Sequence, residues 1–118
     1  MPSSPRYKRG DVVLVLFPNS DLRTAKPRPA LVVQADDLGT GLPQAIIAMM
    51  SARMFRANHP SRVPVLALSP NGQQSGVLSD SVVMTDNLAT VLESAVSRVI
   101  GSLPMAEVDL ALRHTLGL

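Results

Sequence analysis

Basic side chains are the residues of this sequence most suited to chemistry, because they gather in its first half. Nine of the 11 Lys and Arg residues occur up to Arg62, against four acidic residues. From Val63 onward, two basic residues face five acidic ones. Such a division suggests a face that binds a polyanion, the alternative being scattered, solvated charge.

Other chemistries find few candidate residues. The chain has no Cys, which excludes a disulfide framework and a thiolate metal site and favours a reducing compartment. Two His residues, His59 and His114, are too few for a histidine-built metal cluster, so neither a metal nor another cofactor is expected. His59 has an intrinsic pKa suited to general acid–base catalysis. Its neighbours Asn58 and Pro60 indicate an exposed loop, so we interpret His59 as non-catalytic.

The elements that position these side chains are short. With 118 residues, 46% of them hydrophobic, the chain fits one domain spanning residues 1–118. The longest apolar runs, Val12–Phe17 and Ala45–Met50, are strand-sized and far below the roughly 20 residues that cross a bilayer. No export signal is recognisable near the N-terminus, so we expect a cytoplasmic protein without membrane contact.

The alternation of apolar runs and turn residues predicts a mainly β fold ending in a helix. A polar, turn-like segment over 19–27 separates the first two strands, the sequence 69–72 is a strong turn signal, and Asp86 is expected to cap a short helical turn. The terminal helix follows Pro104 and carries its apolar face on Val108, Leu112 and Thr115, with Leu110 flanking. The predicted strands cover residues 12–17, 30–33, 45–50, 63–68, 82–84 and 99–100. The pattern indicates a small barrel or curled sheet.

Five segments, in order along nearly the whole chain, resemble the MazF/PemK toxin family. They are Lys8–Val13, Arg28–Val33 (the family's Arg-Pro-Ala-Leu-Val-Val signature), Ile46–Ser51, Asp80–Thr90 and Arg98–Leu103. The resemblance implies a small SH3-like β-barrel with a C-terminal α-helix that forms a homodimer. It also implies a type II toxin that cleaves single-stranded RNA selectively without a metal, and an antitoxin partner whose disordered segment occupies the RNA groove.

The same resemblance assigns roles to particular residues. Arg28 and Ser51 match the family's catalytic Arg and Thr/Ser positions, although without the resemblance both are ordinary polar residues at strand ends. The remaining matches are RNA-binding candidates, with a solvated basic face or a turn as their alternative. These candidates are Lys26, Arg53, Arg56, Asp86 and Asn87, with Arg62 as a further phosphate contact. Ala89 and Met84 stand where relatives carry basic residues, so we expect a site with fewer cations.

Three other functions remain open at this stage. The gyrase-poisoning CcdB toxins are structural cousins of the family, but they use a C-terminal Trp, and this chain has no Trp. A peptide-binding SH3-like module needs an aromatic groove, and only Tyr7, Phe17 and Phe55 are available. A catalytically weak, antitoxin-binding family member is the third alternative, because Ser51, Ala89 and Met84 depart from the residues common in the family.

Overall fold

The computed structural model describes residues 6–18, 21 and 23–118. Within this part of the chain, six strands form one sheet in the order β4-β5-β3-β2-β1-β6, and every pairing is antiparallel. The strands are β1 (Asp11–Pro18), β2 (Ala25–Val32), β3 (Gln44–Ser51), β4 (Arg62–Val65), β5 (Ser81–Leu92) and β6 (Val96–Ser102). The helices are α1 (Pro70–Ser75) and α2 (Ala106–Leu116), with 3-10 turns at Met54–Arg56 and Glu93–Ala95. The predicted mainly β fold with a C-terminal helix is confirmed.

The central strands are buried on both faces, which explains their continuous apolar sequences. Neighbouring residues of a strand point to opposite sides of the sheet. Val12 therefore joins one core cluster, which α2 covers with Val108 and Ala111. Val13 joins a second cluster on the other face, together with Tyr7. Burial of this kind supplies most of the stability of a small domain.

The second strand begins earlier than predicted. We expected it at Ala30, whereas β2 starts at Ala25 and takes in two prolines, Pro27 and Pro29. Strand β1 pairs along the whole of this extension, from Pro18 opposite Ala25 onward. Part of the segment predicted to turn, residues 19, 20 and 22, lies outside the described residues.

The turn predicted over residues 69–72 is wrong, because this segment opens helix α1. Ser69 Oγ accepts a hydrogen bond from the Gly72 N–H at 3.0 Å, so Ser69 is an N-cap. Pro70 occupies the first turn, where its missing N–H costs nothing. The same residue types favour a turn and a helix start, and only the following Gln-Gln-Ser decides between them.

The helical turn predicted after Asp86 is also wrong. Strand β5 continues from Ser81 to Leu92. Its pairing with β3 shifts there, since Met49 lies opposite Met84 while Ala48 lies opposite Leu88. Residues 85–87 therefore form a bulge, and such bulges redirect side chains at the rim of a curled sheet.

Helix α2 packs on the sheet through the predicted face, since Val108 is buried and Leu112 packs against the same core cluster. Val108 and Ala111 are its buried residues, whereas Leu110 is exposed. A hydrogen bond joins the end of α2 to the bulge, because Thr115 Oγ1 lies 2.8 Å from the buried Thr85 Oγ1. Among the described residues, no helix has the length and apolar character to span a membrane.

Candidate functional site

The candidate site begins where β2 and β3 separate. They pair only from Ala30–Met49 to Val32–Ile47. The Val33 N–H donates to Ile46 across this pair, so alternation along β2 directs the nitrogens of Leu31, Pro29 and Pro27 toward β3 as well. Proline has no N–H to donate. The two prolines therefore remove the next two hydrogen-bond donors that β2 would offer to β3. The two strands separate on the N-terminal side of Ala30.

This separation brings the two predicted catalytic residues to facing positions. Continuing the register from the Ala30–Met49 pair would set Pro29 opposite Met50 and Arg28 opposite Ser51. Arg28 and Ser51 both line a hollow of about 1120 Å³ that opens at the split. Arg28 stands between two prolines, whose rings restrict the backbone on either side of it.

The Ser51 hydroxyl has a defined environment. Its Oγ accepts a hydrogen bond from the Arg53 N–H at 3.1 Å. A hydroxyl has one hydrogen to donate and two acceptor lone pairs. The contact with Arg53 uses an acceptor position, so the Ser51 hydrogen stays available to a group in the hollow.

The wall of the hollow is cationic. Along the described residues, five basic side chains and no carboxylate line it: Lys26, Arg28, Arg53, Arg56 and Arg98. Two basic residues outside the hollow are paired with carboxylates, Arg9 with Asp109 at 2.7 Å and Arg62 with Asp86 at 2.8 Å. Cations concentrated on a concave wall produce a positive potential that attracts an anionic chain.

Arg56 is held at the rim by its neighbours. Its Nη1 lies 3.8 Å from the Met84 sulfur, and its backbone carbonyl accepts a hydrogen bond from Arg62 Nη1 at 3.2 Å. The guanidinium also lies over the Phe55 ring, 5.7 Å from its centroid. Met84, noted in the sequence as a lost cation, thus packs against a cation that is present.

The Asp86–Asn87 pair divides between two environments. Asn87 lines the hollow, as a base-contacting residue should. Asp86 does not line it and instead binds Arg62, whose hydrogen bond holds the pKa of the Asp86 carboxyl below its ordinary value. The structure therefore brings neither Asp86 nor Arg62 to the hollow, and their ion pair braces the loop that carries Arg56.

The structure also places His59 and Ala89, and neither residue lines the hollow. The His59 ring accepts a hydrogen bond from the Ser61 N–H at 3.0 Å and lies beside His114, away from the lining residues. Ala89 packs against the core cluster that contains Tyr7 and Ile47. Ala89 pairs with Ile47 and does not itself line the hollow.

Sequence reasoning missed Arg98. It sits on β6 opposite Leu14 of β1, while Arg28 sits on β2 beside Val15. Strand β6 is distant in sequence from β1 and β2, so no local spacing indicates that Arg28 and Arg98 line one hollow. The available signal was weak: Arg98 is one of two basic residues in the acidic half of the chain.

A family model gives this arrangement its context. Residues 8–116 match the model described as "PemK-like, MazF-like toxin of type II toxin-antitoxin system". The chain belongs to the PemK/MazF toxin family. The five segments noted in the sequence thus lie within the region that matches the PemK/MazF model. The Arg28-Pro29 pair of β2 lines the hollow.

Solved structures share this PemK/MazF fold. The Mycobacterium tuberculosis toxin MazF-mt6 is 22% identical with a TM-score of 0.69, covering 92% of this chain and 97% of that one. A mycobacterial endoribonuclease in complex with its cognate antitoxin is 19% identical with a TM-score of 0.70, covering 95% and 96%. A MazE–MazF structure from Deinococcus radiodurans (Form-III) is 22% identical with a TM-score of 0.73, covering 96% and 98%.

Proposed function

We propose that this chain is an endoribonuclease that cleaves single-stranded RNA within the hollow. The observation that supports the proposal is that Arg28 and Ser51 line one hollow at the split between β2 and β3, together with four further basic side chains. A guanidinium and a hydroxyl facing one hollow suit the recognition of a single phosphate.

The proposed reaction uses the nucleophile that RNA itself carries. The ribose 2′-oxygen forms a bond to the adjacent phosphorus and releases its proton to solvent, while the bond from phosphorus to the 5′-oxygen breaks. The 5′-oxygen takes up a proton, which leaves a 2′,3′-cyclic phosphate and a 5′-hydroxyl end. Neither oxidation nor a co-reactant is involved.

Arg28 and Ser51 act on the charge that develops during this step. Negative charge builds on the non-bridging oxygens as the 2′-oxygen approaches, and preorganised donors lower its energy. Arg28 holds two of these oxygens through its planar fork. Ser51 donates the hydrogen left free by its contact with Arg53. The arrangement also fixes the phosphate in line with the attacking oxygen.

The rest of the hollow favours an unpaired strand. Apolar residues such as Leu14, Met49 and Val99 line it beside the cations. Bases that are not stacked in a helix can rest on such surfaces while phosphates meet the cations. Asn87 offers both a donor and an acceptor to a base edge.

The proposal extends to protein partners. A mycobacterial endoribonuclease of this fold has been solved with its cognate antitoxin. We infer that a cognate antitoxin binds this chain too, with a disordered segment that enters the hollow, and that two copies of the chain form a homodimer. In that case an antitoxin inhibits RNA cleavage by competition, and its effect weakens as RNA concentration rises.

An RNA digest with mapped ends tests the activity. Purified protein is expected to cut single-stranded RNA in the presence of EDTA and to leave 5′-hydroxyl ends. Arg28→Ala should reduce the rate roughly 100- to 1000-fold, the typical effect of removing one preorganised donor. Arg113→Ala is the matched control, because Arg113 is exposed on α2 and does not line the hollow. Ends bearing a 5′-phosphate, or equal activity of the two variants, would refute the proposal.

A further inference from the structure

We propose that Arg98 forms a second phosphate subsite, which holds a backbone phosphate of the RNA next to the one that Arg28 contacts. The inference rests on the proposed function and assigns a role to a residue that neither the sequence reasoning nor the family resemblance singled out. Its ligand is a phosphodiester in a single strand, recognised by charge and not by base identity.

The position of Arg98 supports a separate subsite. Strand β1 runs between β2 and β6, with Arg28 beside Val15 on one flank and Arg98 beside Leu14 on the other. Two strand spacings, about 10 Å, therefore separate the backbones that carry the two guanidinium groups. Both residues line the same hollow, Arg28 from the face of the sheet that it shares with Val15 and Arg98 from the face that it shares with Leu14, so a strand that follows the hollow past one guanidinium reaches the other.

The charge of Arg98 is uncompensated. Arg98 is exposed, and neither ion pair found among the described residues, Arg9–Asp109 or Arg62–Asp86, includes it. A guanidinium without a carboxylate partner keeps its full attraction for phosphate. Binding of a phosphate to this guanidinium also costs little desolvation energy, because the exposed group remains partly hydrated.

The surroundings of Arg98 are shaped for a nucleotide and not for a lone ion. Val99 and Leu78 line the hollow beside it, and both are exposed. Gly76 fixes the segment that bears Leu78 against β6, since a Cβ built on Gly76 would lie only 2.2 Å from the Ile100 carbonyl oxygen. An apolar surface next to a cation can hold the base while the guanidinium holds the phosphate.

Salt-dependent binding tests the subsite directly. The probe is a fluorescein-labelled, mixed-sequence single-stranded DNA, which lacks the 2′-hydroxyl and cannot react. Arg98→Ala should weaken binding about fivefold at 0.1 M salt and reduce the slope of log affinity against log salt by about 0.7, the value for one lost phosphate contact. Arg113→Ala should change neither quantity. With RNA as substrate, Arg98→Ala should raise KM, and its single-turnover rate at saturating protein concentration should equal that of wild type.

Three results would overturn the subsite. They are an unchanged slope in Arg98→Ala, a loss of single-turnover rate as large as in Arg28→Ala, and a change of assembly state by sedimentation, which would place Arg98 at a protein interface. If wild-type protein cuts RNA and Arg98→Ala binds like Arg113→Ala, only the subsite fails. If Arg98→Ala shows the expected slope change but wild-type protein never cuts RNA, the proposed nuclease function fails and the phosphate subsite stands.

Discussion

At the scale of single residues, the hydroxyl at position 51 matters more than its methyl group. Ser51 uses an acceptor position on Arg53 and keeps its hydrogen for the hollow. Ser51→Ala should therefore lower the cleavage rate roughly 10- to 100-fold, which corresponds to a hydrogen bond to a charged group. Ser51→Thr keeps the hydroxyl and stiffens its rotamer, so it should equal or exceed the wild-type rate. A rate for Ser51→Thr as low as that of Ser51→Ala would contradict this role.

The Arg62–Asp86 pair should affect stability and not catalysis. Its hydrogen bond lowers the folded-state pKa of Asp86. The pair therefore stabilises the fold above the ordinary carboxyl pKa of about 3.9, and this contribution disappears as pH falls through the lower folded value. Asp86→Asn should be slightly less stable than wild type near neutral pH and equally stable in acid, by urea denaturation. Its RNA cleavage should stay close to wild type, and a loss comparable to Arg28→Ala would return Asp86 to the site.

At the scale of elements, two prolines decide where the hollow opens. The sequence places Arg28 at the entry of a strand, whereas β2 already includes it. The sequence cannot reveal that the nitrogens of Pro27 and Pro29 are directed at β3, because that depends on register. Pro29→Val restores an N–H directed at β3 and should extend the ladder by one pair. We expect slower hydrogen exchange at residue 29 than at exposed sites, reduced RNA cleavage and undiminished thermal stability. Cleavage at the wild-type rate together with a protected amide would show that the split is dispensable.

The segment after α1 provides a second element-scale prediction. Gly76 has a φ of 77° and its would-be Cβ meets the Ile100 carbonyl oxygen at 2.2 Å. Gly41 has nearly the same φ, 76°, with nothing within 4 Å of its would-be Cβ. Gly41→Ala should thus cost about 1 kcal/mol of unfolding free energy, from the backbone alone. Gly76→Ala should cost roughly 1–3 kcal/mol more, from overpacking. Equal losses for the two variants would contradict the close approach of this segment to β6.

At the scale of the whole molecule, the sequence indicated a basic face but not all of the residues that form it. Lys26, Arg28, Arg53 and Arg56 were placed on it from local resemblance, and all line the hollow. Arg98 was missed because β6 reaches β1 only through tertiary pairing. The helical turn at Asp86 failed because pairing with β3 overrides a local capping signal. Local patterns identify strands and signature residues, whereas register and strand order decide what faces the hollow.

The charge of the wall makes a prediction about binding as a whole. If all five lining cations contact phosphates of a single strand, the slope of log affinity against log salt should be about −3.5. Fluorescence anisotropy with the non-reactive single-stranded DNA probe measures this slope. A slope near zero would mean that the face does not bind nucleic acid through charge.

The convergence of Arg28 and Ser51 on one scissile phosphate is tested most directly by a double-mutant cycle. Single-turnover RNA cleavage is measured for wild type, Arg28→Ala, Ser51→Ala and the double variant under identical conditions. Residues that act on the same group are not independent, so the double variant should lose clearly less activity than the product of the two single losses. A double variant whose loss equals that product would show that the two side chains act separately, and would contradict the account.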